Sequence, residues 1–325
     1  MTTKNIFRNL GKSELRVSMV GLGCWQFSQG KGIIGNYWKF LDDQQIKNII
    51  KTSLDEGINW FDTAEVYGWG ASEHAIAKEL QELHQLPQNI VMATKWWPLF
   101  RTARSISRSI DRRLSTLHPY SIDLYQIHQP FSFSAIPAQM RELANLLDQR
   151  KIRYAGVSNF SARRMTRAQE ELQKRGYLLV SNQVKYNLLD RKIESNGILE
   201  TAKQLGITII AYSPLAQGIL SGKFHHNPKL IQDVSLFRKY AGHLGKRFLK
   251  KSQSVIEILE NLSRKYGVTS SQIALNWLIH FHENTVVVIP GASTPEQARE
   301  NAQTMYFTLA REDLDLIDQA TKQFI

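Results

Sequence analysis

The sequence predicts an α/β fold: a (β/α)8 TIM barrel carrying an N-terminal β-hairpin and an extra C-terminal helix. Three observations carry this. Eight short apolar segments recur along the 325 residues, most of them about 30 residues apart, the length of one strand–helix unit. Their apolar residues run together instead of alternating, which marks strands buried on both faces of a parallel sheet. The stretches between them repeat apolar residues at helical intervals.

The elements follow in order. FRNLGKSELRVS reads as an opening hairpin turning at Gly11-Lys12. Strands open near Met19 (MVGLG), Ile58 (INWFD), Ile90 (IVMATK), Ile122 (IDLYQI), Ile152 (IRYAGVS), Leu178 (LLVSNQ), Ile207 (ITIIAYS) and Val286 (VVVIPG). Helices fill Gln44–Leu54, Ser72–Leu83, Thr102–Leu117, Ala135–Arg150 and Ala162–Lys174. Ser161 is placed to cap the fifth helix and Ser72 to open the second. Gly57, Gly176, Gly206 and Gly267 stand just past helices, where a left-handed residue ends the turn. The one long interval, from Ile207 to Val286, holds a βα loop over about 218–250 and a helix at Ser254–Tyr266. A last helix spans Glu312–Gln323. No Pro/Ser-rich linker interrupts the series, so 1–325 reads as a single barrel domain. A Rossmann fold would want G-x-G-x-x-G after its first strand. Here Gly21-x-Gly23 is followed by Gln26, and the fingerprint is broken.

Composition narrows the function classes. Hydrophobic residues make up 42% and charged residues 22%, enough apolar material for a large core. No apolar run reaches the roughly 20 residues of a membrane helix, and the N-terminus lacks the apolar stretch of a signal peptide. The single cysteine, Cys24, cannot pair internally, which points to a reducing, cytoplasmic setting. Neither His225-His226 nor His280-x-His282 has zinc-site spacing, so no metal is expected. The net charge is +12, and its distribution is uneven: Lys223 to Lys251 holds eight Lys/Arg against one acid, Asp233. The arginines at 101, 104, 108 and 112 form one stripe of a helix, a solvated face, and no basic–aromatic interleaving suggests nucleic acid.

In a barrel, chemistry gathers at the C-terminal ends of the strands. Asp62 and Tyr67 follow the second strand, Lys95 ends the third and His128 ends the fourth. Together they form an acid–base set. An ammonium beside a phenol favours the phenolate, a carboxylate keeps the ammonium charged, and the histidine can orient a substrate oxygen. Trp25, Trp96 and one of Trp38 or Trp69 are candidates for an apolar pocket wall, while Trp60 reads as core.

GLGCW (21–25), FDTAEVYG (61–68), ATKWW (93–97), IHQP (127–130), GVSNF (156–160), NQVKYN (182–187), AYSPLAQGILSGK (211–223) and IPGASTPEQARENA (289–302) stand in an order that resembles the aldo-keto reductases. The last two stretches resemble the branch that includes the potassium-channel β subunits. The resemblance implies a catalytic tetrad at Asp62, Tyr67, Lys95 and His128, and NADPH/NADP+ lying across the barrel mouth. It places cofactor contacts at Gly23, Cys24, Trp25, Asp62, Ser158, Asn159, Gln183, Tyr212, Ser213, Leu215, Gln217, Gly218 and Lys223. At the adenosine end it places them at Gly291, Ser293, Gln297, Glu300 and Asn301, in a turn before a helix whose free N–H groups would favour a phosphate. Substrate contacts fall on Trp25, Tyr67, Trp96 and His128.

One departure concerns the 2′-phosphate of NADPH. Gly291 and Gln297 occupy positions where many family members carry basic residues, so the preference for NADPH rests on Arg299 or on the basic 223–251 loop. That loop is placed to act as a lid, with Lys223 on a phosphate and Arg238, Lys239, Lys246 or Arg247 near the adenosine end. The activity implied is reduction of aldehyde or ketone carbonyls to alcohols, with Tyr67 as general acid. The alternative is an NADPH-binding regulatory subunit with little turnover. Small-molecule carbonyl substrates are the expected partners, with no nucleic acid and no membrane insertion.

Overall fold

The structure, a computed structural model, describes residues 5–32, 37–232, 234, 235, 239 and 244–325. It opens with an antiparallel hairpin, β1 (Phe7–Asn9) and β2 (Arg16–Ser18). Eight parallel strands follow in sequential order: β3 (Leu22–Gly23), β4 (Trp60–Asp62), β5 (Val91–Trp96), β6 (Leu124–Ile127), β7 (Tyr154–Ser158), β8 (Leu179–Lys185), β9 (Thr208–Tyr212) and β10 (Val286–Val288). Parallel bridges Val20–Val288 and Gly23–Gly291 join the first barrel strand to the last. The sheet is therefore a closed barrel, and each of its strands lies at the predicted apolar segment.

The two-residue period of a strand sorts side chains between barrel interior and helix layer. Trp60, Val91, Ala93, Leu124, Val180, Ile210 and Val287 fill the interior, and Leu10, Leu15 and Val17 of the hairpin close its base. Trp60 is core, as its position within a strand suggested. Only glycine fits at position 21, because a Cβ there would lie 2.2 Å from the Trp60 ring. Above this apolar plug, toward the C-terminal ends of the strands, the interior turns polar with Asp62, Lys95, Gln126 and Gln183.

The outer layer is helical: α1 (Asp43–Asp55), α2 (Ala71–Glu82), α3 (Arg104–Leu117), α4 (Ile136–Asp148), α5 (Ala162–Gln173), α6 (Ile198–Leu205), the short α7 (Lys223–His226), α8 (Lys246–Tyr266), α9 (Ser270–His280), α10 (Pro295–Gln303) and α11 (Arg311–Thr321). Ser161 caps α5 by accepting the Arg164 N–H. Ser72 does not cap α2. It lies inside the helix, buried, with its hydroxyl given to the Cys24 carbonyl. The helix predicted from Ser254 begins eight residues earlier, at Lys246. The 218–250 stretch is thus partly structured, with 3-10 turns at Ala216–Ser221 and Pro228–Ile231, the short α7 and the start of α8. Arg238 and Asp233 of that stretch lie outside the described residues. Among the described residues no helix is long and apolar enough to cross a membrane.

A buried ionic knot ties the C-terminal helix to the barrel. Arg191, 1% exposed, donates to Glu194 and to Asp318 of α11 at 2.6 Å each, and lies 4.7 Å over the Trp277 ring. Burial raises the Glu194 pKa, but hydrogen bonds from His282, Arg191 and Tyr186 outweigh it and hold the carboxyl at about 2. Stability from this group is fully present above its ordinary value of 4.5 and is lost as the pH falls through about 2. Arg191→Ala strands two largely buried carboxylates at a cost of about 3 kcal/mol. Thermal melts across the acid range should show a lower Tm and unfolding that begins at higher pH. A variant that melts like the parent at every pH would contradict this role.

Candidate active site

Four strands set the centre of the polar layer. Asp62 ends β4 and is 2% exposed; Lys95, the fifth residue of β5, is wholly buried. The Lys95 ammonium donates to Asp62 Oδ1 at 2.5 Å and to the Thr63 carbonyl at 2.8 Å. It also lies 5.1 Å from the Tyr67 ring centroid. Asp62 Oδ2 accepts from two side-chain amides, Gln126 of β6 at 3.1 Å and Gln183 of β8 at 2.8 Å. His128 follows β6 with its ring 5.6 Å from Tyr67, nearly perpendicular to it. The four residues singled out in the sequence are one cluster. Gln126 was not singled out, although it stands two residues before His128 on an inward-facing register.

Charge in this cluster is set mainly by burial. Burial opposes the Lys95 ammonium, but Asp62 and Tyr67 outweigh it and its pKa lies above the ordinary lysine value. The Tyr67 phenol departs from expectation. Burial raises its pKa, Lys95 lowers it, Asp62 raises it again, and the net shift is upward. The phenol keeps its proton at neutral pH. Burial and the Lys95 charge push the His128 imidazole well below its ordinary value, so it is neutral. Cys24 is an inert filler: burial and Asp62 raise its thiol well above the usual range.

An aromatic wall borders the phenol. Trp25 stacks on Tyr37 at 4.4 Å and on Tyr67 at 5.9 Å; Trp97 meets His128 at 5.1 Å and Phe131 at 5.9 Å. Trp96 is not part of it. Because Lys95 points inward, the next residue points out; Trp96 is fully buried beneath α3, with its indole N–H on Ser105. Trp97 takes the place in the wall, its backbone N–H held by the Glu65 carboxylate at 2.5 Å, which also pairs with Arg101. Cys24 has no side-chain atom at the mouth. Its thiol is buried, and its backbone N–H and carbonyl are taken by Asp62 and Ser72.

The remaining candidates form two groups. Around β7 to β9, Ser158 donates to the Gln183 carbonyl at 2.9 Å, and Asn159 accepts from the Tyr212 hydroxyl at 3.1 Å. Beyond Tyr212 the chain turns through left-handed Ser213, Ala216, Gln217 and Gly218, a run that Pro214 and Leu215 interrupt. Lys223 is tucked into this turn: a Cβ on Gly218 would sit 3.3 Å from its Nζ. At the barrel seam Gly23 is required by close packing, since an added Cβ would lie 2.7 Å from the Ile289 carbonyl, and the end of the Gln26 side chain packs over Gly291. The turn before α10 differs from expectation. Two of its N–H groups are already engaged, since Gln297 Oε1 accepts from Ser293 and Thr294 accepts from Gln297. Asn301 donates to the Gly291 carbonyl at 3.4 Å, and burial raises the Glu300 carboxyl. Arg299 pairs with Glu56 at 3.1 Å and is half-exposed.

Residues 19–322 match the aldo/keto reductase family. The chain belongs to the aldo/keto reductase family. It is 28% identical to L-glyceraldehyde 3-phosphate reductase of Escherichia coli over 96% of this chain and 91% of that one. The glycerol dehydrogenase AKR11B4 of Gluconobacter oxydans superposes with a TM-score of 0.82 at 27% identity, covering 98% of this chain and 96% of that one. An aldo/keto reductase of Klebsiella pneumoniae, crystallised with NADP and acetate, shares the fold at a TM-score of 0.73 and 23% identity over 97% and 95% of the two chains.

Proposed function

We propose that the chain is an NADPH-dependent reductase of aldehyde and ketone carbonyls. The observation that carries this is a proton-bearing phenol, Tyr67, at the barrel mouth beside a buried Lys95–Asp62 pair and a neutral imidazole. Family membership supports the reaction class, and the intact cluster supports turnover over a purely regulatory, channel-subunit-like role.

The residues at the mouth fit an extended dinucleotide. Ser158, Asn159 and Gln183 gather amide and hydroxyl groups suited to a carboxamide, and Tyr212 offers a ring to stack on. Lys223, packed against Gly218, offers an ammonium to a phosphate at this turn. When bound, the nicotinamide supplies the hydride. The protein's part is proton transfer and orientation. The His128 imidazole N–H orients the carbonyl oxygen, the Tyr67 phenol gives that oxygen its proton, and Lys95 stabilises the phenolate left behind. The apolar wall of Trp25, Trp97 and Phe131 excludes water from the reacting carbonyl. Cys24 as the single, buried cysteine supports a reducing, cytoplasmic workplace.

Preference for NADPH over NADH rests on the basic loop in this reading, while Arg299 meets Glu56 in a half-exposed pair. Lys246 and Arg247 stand in the first turn of α8, where the helix dipole disfavours cations by about 0.3–1 kcal/mol each. Two cations placed against that preference support an anionic ligand nearby.

Tyr67→Phe should bind NADPH as the parent does, measured by fluorescence titration, and lose turnover by about a thousand-fold. Undiminished reduction of a reactive aldehyde would sink the proton-donor assignment. Negligible turnover of the parent across a broad carbonyl panel, with stoichiometric capture of a membrane partner, would favour the regulatory reading. Neutralising Lys239, Lys246 and Arg247 together should weaken NADPH binding more than NADH binding and flatten its salt dependence. Equal losses for both cofactors would return the 2′-phosphate to the turn before α10.

A further inference from the structure

Asp62 holds its charge inside the barrel by using both carboxylate oxygens. Oδ1 faces Lys95, and Oδ2 faces the amides of Gln126 and Gln183, which also touch each other at 3.5 Å. Gln126 is wholly buried, on the inward register of β6 between Leu124 below and His128 above. An amide in that place gains nothing from packing that leucine or methionine would not give. Its N–H is aimed at a carboxylate that would otherwise have one donor fewer in a site closed to water, where unsatisfied polar groups are costly.

We infer that Gln126 is a positioning residue for proton transfer, fixing Asp62 through Oδ2 so that Asp62 holds Lys95 against Tyr67. Gln183 shares the task and has a second one. With its Nε2 committed to Asp62, its Oε1 is the atom left for the cofactor's carboxamide. Gln126 touches neither substrate nor cofactor and acts only through Asp62. The groups facing this centre are Lys95 from β5, Tyr67 and Cys24 from the flanking loops, and His128 beyond Lys95. This inference rests on the reductase reading above.

Two variants test it. Gln126→Leu keeps the volume and removes the donor. It should lower kcat about ten-fold, the rate equivalent of one hydrogen bond to a charged group. KM for the carbonyl and the NADPH dissociation constant should stay within about two-fold of the parent, since Gln126 touches neither ligand. Gln126→Glu places a carboxyl 3.1 Å from Asp62 Oδ2, where two carboxylates cannot both be ionised. At low pH the new carboxyl is protonated, donates to Asp62 as the amide does, and kcat approaches that of the parent. As pH rises it ionises and kcat falls, through a step that the parent lacks. A packing role would give no such step. Parental kcat in Gln126→Leu, or a loss of NADPH affinity as large as the loss in kcat, would overturn the inference, as would a Gln126→Glu profile parallel to that of the parent. A parent protein that reduces no carbonyl defeats the reductase reading itself, and the two failures are distinct.

Discussion

A lysine with none of its surface exposed can stay charged only if the protein replaces its water. Here Asp62 and the Thr63 carbonyl do so at 2.5 and 2.8 Å, and much of the barrel mouth follows from that pair. Removing either partner would strand a buried charge at a cost of about 3–5 kcal/mol. Asp62 therefore needs donors on its other oxygen, which Gln126 and Gln183 give. Lys95 needs a low-polarity neighbour that can use its field, and Tyr67 is that neighbour. The same positive charge, added to burial, keeps His128 neutral. Burial keeps the Tyr67 phenol protonated and the His128 imidazole neutral, and the Lys95 charge adds to the second of these shifts.

The apolar plug beneath makes this affordable. Trp60, the aliphatic interior residues and the hairpin's Leu10, Leu15 and Val17 close the barrel from below, so water reaches the polar layer only from the mouth. Rigid strands, not loops, carry Asp62, Lys95, Gln126 and Gln183, and this suits a site whose distances must be held closely. The aromatic wall and the 213–223 turn stand on loops, where a fold can change its ligand without disturbing its core.

The barrel was legible in the sequence because each strand is an uninterrupted apolar run and each interval is one helix long. The four central residues were legible because strand ends are where barrels put chemistry. What the sequence hid has physical causes. Helix α9 is buried almost all round and so shows no amphipathic period. Trp96 looked like a pocket residue beside Trp97, yet the alternation 91, 93, 95 inward already forces 96 outward. The same parity, run along β6 through 124, 126 and 128, would have found Gln126. The upward shift of the Tyr67 phenol was missed because the sequence shows the ammonium nearby but not the depth of burial that outweighs it. Two of the N–H groups expected to be free before α10, those of Ser293 and Gln297, are taken up by Gln297 and Thr294, a local capping pattern readable only after the helix start is known.

The central claim is that the proton given to the carbonyl oxygen comes from a phenol held protonated by burial, with the imidazole neutral throughout. The pH dependence of single-turnover carbonyl reduction by the NADPH-loaded parent enzyme tests it most directly. The rate should stay level from about pH 6 to pH 9 and fall only on the alkaline side, as a phenol above its ordinary value of about 10 loses its proton. A fall centred near pH 6.5, the ordinary histidine value, would assign the proton to His128 and contradict the account.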